Sequence, residues 1–176
     1  MGQEQGEPGS ERTAPPAEKK PGPVTVERLT HLDVPAICGL YKKIGDAQGP
    51  GLPPELIKAW TPSPLEFTSR MEGITYFAAR RDGRMVGAVG CELHRGAVHL
   101  VHLGVEPDAR RQGVATALVT TAIDWAKRSN APVVWTDPLY RFTSAAALLK
   151  RLGFTETGTL HKHEWGEDVR LFEKLV

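Results

Sequence analysis

A change of hydrophobic period at Gly73 constrains this chain more than any other feature of its sequence. Upstream, apolar residues recur at helical spacing: Ile37, Leu40, Tyr41 and Ile44 in one segment, Leu56, Ile57 and Trp60 in the next. Downstream they gather into strand-like runs at 74–79, 85–93 and 97–105, separated by Arg81-Asp82-Gly83-Arg84 and by Arg95-Gly96. Turn residues between such runs predict three consecutive antiparallel strands. Helical spacing then returns over 111–127, with Ala115, Leu118, Val119, Ala122 and Ala126 on one stripe, before a short strand at 132–135. A strand, a helix and a strand in that order predict one parallel crossover.

The flanking segments complete the pattern. Residues 24–26 read as a short strand, and Thr30 as the N-cap of a helix that Gly45 ends. Residues 49–54 are a Gly/Pro loop, and Ser63-Pro64-Leu65-Glu66 is a capping box that opens a short helix toward Met71. Near the C-terminus a helix capped by Thr143 or Ser144 carries Ala145, Leu148, Leu149 and Leu152 on one face and closes at Gly153; strands at 154–160 and 169–175 follow around a polar loop at Gly166. The expected architecture is an α/β (mixed α+β) domain: a central mixed, mostly antiparallel sheet of about six or seven strands flanked by helices. Residues 1–23, rich in Pro, Gly and Glu, are expected to be a disordered tail, leaving 24–176 as one domain.

Charge narrows the function classes. Lys and Arg number 22 against 21 acidic residues, a net charge of +1, so neither nucleic acid nor an anionic membrane is indicated as a partner. No apolar run reaches the roughly 20 residues that span a bilayer, and a cytoplasmic protein is expected. Cys38 and Cys91 fall in different elements with no metal-ligand spacing, so both are expected to be buried free thiols, and no metal is called for.

The chemistry concentrates at 105–116, where a strand end meets a helix start. The first amides of a helix have no intrahelical partner and face whatever lies before them, and the helix dipole favours a negative charge there by about 0.3–1 kcal/mol per charge. Gly113 and Ala115 leave room for a diphosphate, and Arg110 and Arg111 supply cations.

The segment resembles the acyl-CoA signature of the GNAT N-acetyltransferase superfamily, Arg/Gln-x-x-Gly-x-Gly/Ala, through Arg110, Gly113 and Ala115. The preceding strand ending in Val105, then Pro107, and a downstream helix ending in Leu152-Gly153-Phe154 also stand where that family has them, so the resemblance covers roughly 24–176. It implies a sheet splayed between its fourth and fifth strands, with acetyl-CoA or another acyl-CoA as co-substrate. Pantetheine would lie along Leu103, Gly104 and Val105, the pyrophosphate on the amides from Gln112 through Val114 and Ala115 to Thr116, and Ser144 would touch the cofactor. A homodimer is common among such proteins.

Acyl transfer to an amine needs a base and a donor for the thioester oxygen. Family members often place a base six residues before the Val at the strand's end, which is His99 here; His102 is the alternative, and Glu92 on the neighbouring strand a weaker one. Strict alternation groups His99 with Val101 and Leu103, and His102 with Val98 and Leu100, unless the family's bulge re-aims them. The strand amide of Val105 or Leu103 is the expected oxyanion donor. The usual acid, a Tyr four residues before the Gly-Phe pair, is replaced by Leu149, and the usual cofactor-touching Asn by Phe142, leaving Tyr140 or water to protonate the thiolate.

These residues predict an N-acetyltransferase acting on a small-molecule primary amine by direct attack. The acceptor would enter between the segment around Trp60 and the loop 164–168, with Trp60, Phe67, Trp135 and Trp165 as candidates to line it. The alternatives are a protein N-acetyltransferase and a non-catalytic acyl-CoA sensor. Absence of Gly-x-Gly-x-x-Gly and of a phosphate-loop lysine motif disfavours a dinucleotide or kinase site.

Overall fold

The structure, a computed structural model, describes residues 22–48 and 51–176; the expected tail lies outside the described residues as far as position 21. Seven strands form one sheet in the order β1-β2-β3-β4-β5-β7-β6, mostly antiparallel, as the change of period predicts. They are β1 (Thr25–Arg28), β2 (Ile74–Arg81), β3 (Arg84–His94), β4 (Ala97–Val105), β5 (Val133–Thr136), β6 (Thr155–Glu164) and β7 (Glu167–Leu175). The helices are α1 (Val34–Gln48), α2 (Pro54–Trp60), α3 (Pro64–Arg70), α4 (Val114–Arg128) and α5 (Thr143–Arg151).

Local chemistry accounts for the elements. Asp82 and Gly83 both take positive φ, 50° and 76°, the requirement of the two-residue turn that joins β2 to β3 without splaying them. Ser63 and Glu66 form the reciprocal capping box that starts α3, with Pro64 at its first position. Thr30 and Asp33 make a similar box, which caps a short 3-10 turn leading into α1.

Three expectations need correction. Gly45 does not end α1, which continues to Gln48. Gly45 is buried, and a Cβ there would lie 2.7 Å from Thr61 Cγ2, so its glycine serves the close approach of the α2–α3 linker rather than a helix end. The helix expected from residue 111 begins at Val114, because Arg111 and Gly113 adopt positive φ. Neither Thr143 nor Ser144 caps α5, whose N-cap is Phe142 with no side-chain bond.

Two apolar layers sandwich the sheet. On one face α4 and α5 bury Leu118, Val119, Ala122 and Leu149 against Val98, Leu100 and Phe172. On the other, α1 and α3 bury Ile37, Tyr41, Ile44 and Phe67 against Tyr76 and Ala88. Cys91 lies in the first layer, whereas Cys38 is only half-buried; both are free thiols.

β4 and β5 pair in parallel at two positions only, Val98 with Val134 and His99 with Trp135. Beyond them Thr136 Oγ1 donates to the Leu100 carbonyl at 3.0 Å, and the strands part. From Val101 onward β4 keeps β3 on one side and has no strand on the other.

Candidate active site

The parting of β4 from β5 creates a fork whose open arm is Val101 to Val105. Along an antiparallel pair, alternate residues turn their N–H and C=O outward. Since Glu106 N–H bonds the Val86 carbonyl at 2.9 Å, the neighbouring Val105 turns its own groups to the open edge. There Arg110 Nε donates to the Val105 carbonyl at 3.1 Å, so this arginine, expected to face the diphosphate, folds back onto the strand.

The amides of residues 111–116 meet no backbone or side-chain acceptor among the described residues, and the first bond of α4 runs from Ala117 N–H to the Gly113 carbonyl at 3.0 Å. Gly113 has φ 80°, and a Cβ built on it would meet nothing within 4 Å, so the space before the helix is open. Gln112 is braced by its side chain to the Asp108 carbonyl at 2.8 Å, and Arg81 of β2 bonds the Gln112 side-chain oxygen. Arg81 thus brings to this loop a cation that the sequence reading missed, from 31 positions away.

His99 sits at the apex. Its Nε2 lies 2.8 Å from Asp137 Oδ1, and its ring stacks on Trp135 with centroids 3.6 Å apart and planes 3° apart. Both partners of the pair are largely covered, with 16% and 22% of their side-chain surfaces exposed. A carboxylate accepting from Nε2–H leaves the Nδ1 lone pair free, the arrangement that a general base needs. Asp137 was missed in the sequence; a carboxylate just past the carboxyl end of a parallel strand, where ligands of such sheets bind, was the available signal. Glu164, at the end of β6, lies near this pair, and burial followed by the Asp137 carboxylate raises its carboxyl pKa.

His102 behaves differently. The β3–β4 register jumps from Gly90–Val101 to Ala88–Gly104, leaving His102 and Leu103 together opposite Val89, and His102 takes φ 53°. This bulge overturns the alternation expected from sequence, because His102 faces Tyr41 and Tyr76 on the α1 side, opposite Val98 and Leu100. Burial, then the nearby Arg70 cation, pushes its pKa down to about 4, and its Nδ1 is hydrogen-bonded with Tyr76 Oη at 2.7 Å. A neutral imidazole with that nitrogen engaged is a poor base.

The remaining candidates scatter. Tyr140 is 49% exposed, with the Arg170 guanidinium 4.0 Å above its ring. Ser144 is exposed on the first turn of α5. Glu92 stands opposite His99 across the β3–β4 ladder. Leu149 is 2% exposed within the α4/α5 core. Phe67 is fully buried, Trp60 packs on Phe142 at 5.8 Å, and Trp165 is exposed at the β6–β7 turn. Arg141 ties the loop before α2 to β7, donating to the Gly51 carbonyl at 2.6 Å and pairing with Glu167 at 3.0 Å.

Comparison with known proteins agrees with this frame. Human N-acetyltransferase 8B is 32% identical over 105 residues, 56% of this chain and 46% of that protein, so the chain spans about half the length of the curated relatives it matches. The ribosomal-protein-S18-alanine N-acetyltransferase of Escherichia coli superposes with a TM-score of 0.71 at 22% identity, over 87% of this chain and 94% of the other. The PaiA N-acetyltransferase of Thermoplasma acidophilum, solved with coenzyme A, does so with a TM-score of 0.72 at 13% identity, over 88% and 99%. At these identities the structures show a shared fold. Residues 36–154 match the acetyltransferase (GNAT) family, and the splayed sheet with an open helix start is therefore that of a member of this family.

Proposed function

We propose that the chain is an acyl-CoA-dependent N-acyltransferase, specifically an N-acetyltransferase that acts on the primary amine of a small molecule by direct attack in a ternary complex. One observation carries the reading: an unpaired strand edge begins beside a histidine–carboxylate pair and runs toward a helix start whose amides are uncapped. The residues fit acetyl-CoA. Amides of Gln112 to Thr116 would hold the pyrophosphate, with Arg111 and Arg81 adding charge, and the Val105 edge would bond the pantetheine amides once the exposed Arg110 swings off its carbonyl.

When bound, the thioester supplies an activated acyl carbon. His99, oriented by Asp137, removes a proton from the acceptor ammonium through Nδ1. The freed amine nitrogen bonds the acyl carbon and gives up its second proton to water, the carbon–sulfur bond breaks, and sulfur keeps the electron pair. An alkyl thiol ionises near 8.5 against about 10.4 for an alkyl ammonium, so the thiolate is the better leaving group and takes its proton from water without a dedicated acid. This argument accommodates Leu149.

A non-catalytic sensor is the second reading, favoured by Leu149 and Phe142. Titration calorimetry with acetyl-CoA, then thiol release across a panel of small amines and short peptides with free N-termini, separates them. Turnover with small amines supports the proposal; turnover with peptides alone transfers it to protein N-termini; tight binding without turnover sinks catalysis.

A further inference from the structure

His102 has the only positive φ in β4, 53°, in a residue that carries a Cβ. Left-handed backbone is unfavourable for such a residue and persists only where its surroundings hold it. Two phenols do so here. Tyr41, from α1, donates its hydroxyl to the His102 carbonyl at 2.7 Å. Tyr76, from β2, places its hydroxyl in a hydrogen bond with His102 Nδ1 at 2.7 Å, the two rings 5.9 Å apart and 7° from parallel. Both tyrosines are buried, 5% and 1% exposed, so neither hydroxyl has water to compete for it.

The peptide between His102 and Leu103 is trans, so its N–H points opposite to its C=O. Tyr41 draws that carbonyl toward α1 and thereby turns the Leu103 amide away from α1. The register gives Leu103 no partner in β3, since Ala88 pairs with Gly104 and Gly90 with Val101, and β5 stopped pairing at His99. An unpaired, rigidly held amide beside the fork, four residues along from His99, can meet the developing charge of a thioester oxygen.

We infer that Tyr41 and Tyr76 are positioning residues for acyl transfer: through His102 they hold the Leu103 amide as the donor that polarises the thioester carbonyl. The inference rests on the transferase reading. It selects Leu103 over Val105, and it explains why a histidine unsuited to proton transfer occupies the bulge: its imidazole is the handle by which Tyr76 fixes the flipped peptide.

The test uses full-length wild-type protein, Tyr41→Phe and Tyr76→Phe, each saturated with acetyl-CoA carrying ¹³C at the thioester carbonyl. Difference infrared spectroscopy reads the carbonyl stretch, calorimetry the affinity, and a thermal melt the fold. In wild type the stretch should fall below its value in water. In Tyr41→Phe it should return toward that value with affinity unchanged, and turnover of an accepted amine should drop on the order of 10-fold, less than the 10² to 10³ lost when such a donor is removed outright. Tyr76→Phe should give a smaller change of the same sign, which keeps the inference testable if the first variant folds poorly. Folded variants that bind acetyl-CoA with the wild-type stretch would overturn the positioning role alone, whereas wild type failing to bind acetyl-CoA would overturn the transferase reading itself.

Discussion

The two halves of β4 obey different rules. At His99 the strand lies between β3 and β5, its backbone paired on both sides, and what it presents is a side chain, held by Asp137 and Trp135. From His102 to Val105 one neighbour is missing and the register slips, and what the strand presents is backbone. Pairing sets the division of labour: where the ladder is complete, chemistry must come from side chains, and where it fails, amides and carbonyls become a binding surface. The two histidines, three residues apart, fall on either side of this boundary. His99 keeps a free ring nitrogen, whereas His102 is spent on holding the bulge.

The most severe way to break this contrast is to fill the space in front of α4. Gly113→Glu puts a carboxylate where a diphosphate is expected, on a residue whose positive φ already disfavours a side chain, and should abolish acetyl-CoA binding by calorimetry; retained affinity refutes the loop assignment. Next is the side-chain half. His99→Ala should lower turnover by roughly 10² to 10⁴ at neutral pH, and an unaltered pH–rate profile would move the base elsewhere. Asp137→Asn should cost less, on the order of 10 to 10² in kcat with little change in the Michaelis constant for acetyl-CoA, because it frees the wrong tautomer without removing the ring. A variant as active as wild type would reduce the His99–Asp137 pair to a structural contact.

His102 tests the other half of the strand, and its effect appears in stability rather than in turnover. Its folded pKa of about 4 lies below the ordinary 6.5, so below 6.5 the unfolded chain binds more protons than the folded one. Stability should therefore be lost as pH falls from 6.5 toward 4, by roughly 3 kcal/mol from this group. His102→Asn, which tolerates left-handed backbone and does not titrate, should show a shallower decline of the urea midpoint across that window. Equal slopes in the two proteins would mean that His102 is not buried neutral.

Much of the fold was legible because its determinants are local. The Asp82-Gly83 turn, the Ser63–Glu66 box and the change of period each sit within a few residues, and they place the strands and α3 correctly. Gly45 misled because its reason is tertiary: it makes room for Thr61, a contact that helical spacing cannot reveal. The start of α4 was set too early because the left-handed turns at Arg111 and Gly113 leave no mark on apolar periodicity. In the candidate site, the loop proposed to hold a diphosphate is contiguous in sequence, but the partner of His99 lies 38 positions away, and that of the His102 carbonyl 61. The bulge, a single extra residue, reversed the side on which His102 lies; alternation is a rule for unbroken ladders, and this ladder breaks where ligand is expected.

The central claim is that the open half of β4 and the first turn of α4 together form the coenzyme site. Titrating ¹⁵N-labelled protein with acetyl-CoA tests it most directly. Amide resonances of Leu103, Val105 and residues 113–116 should shift together and gain protection from hydrogen exchange, while those of the doubly paired Val98 and His99 change little. Shifts confined to other elements, or saturation that leaves those amides exchanging as before, would contradict the account.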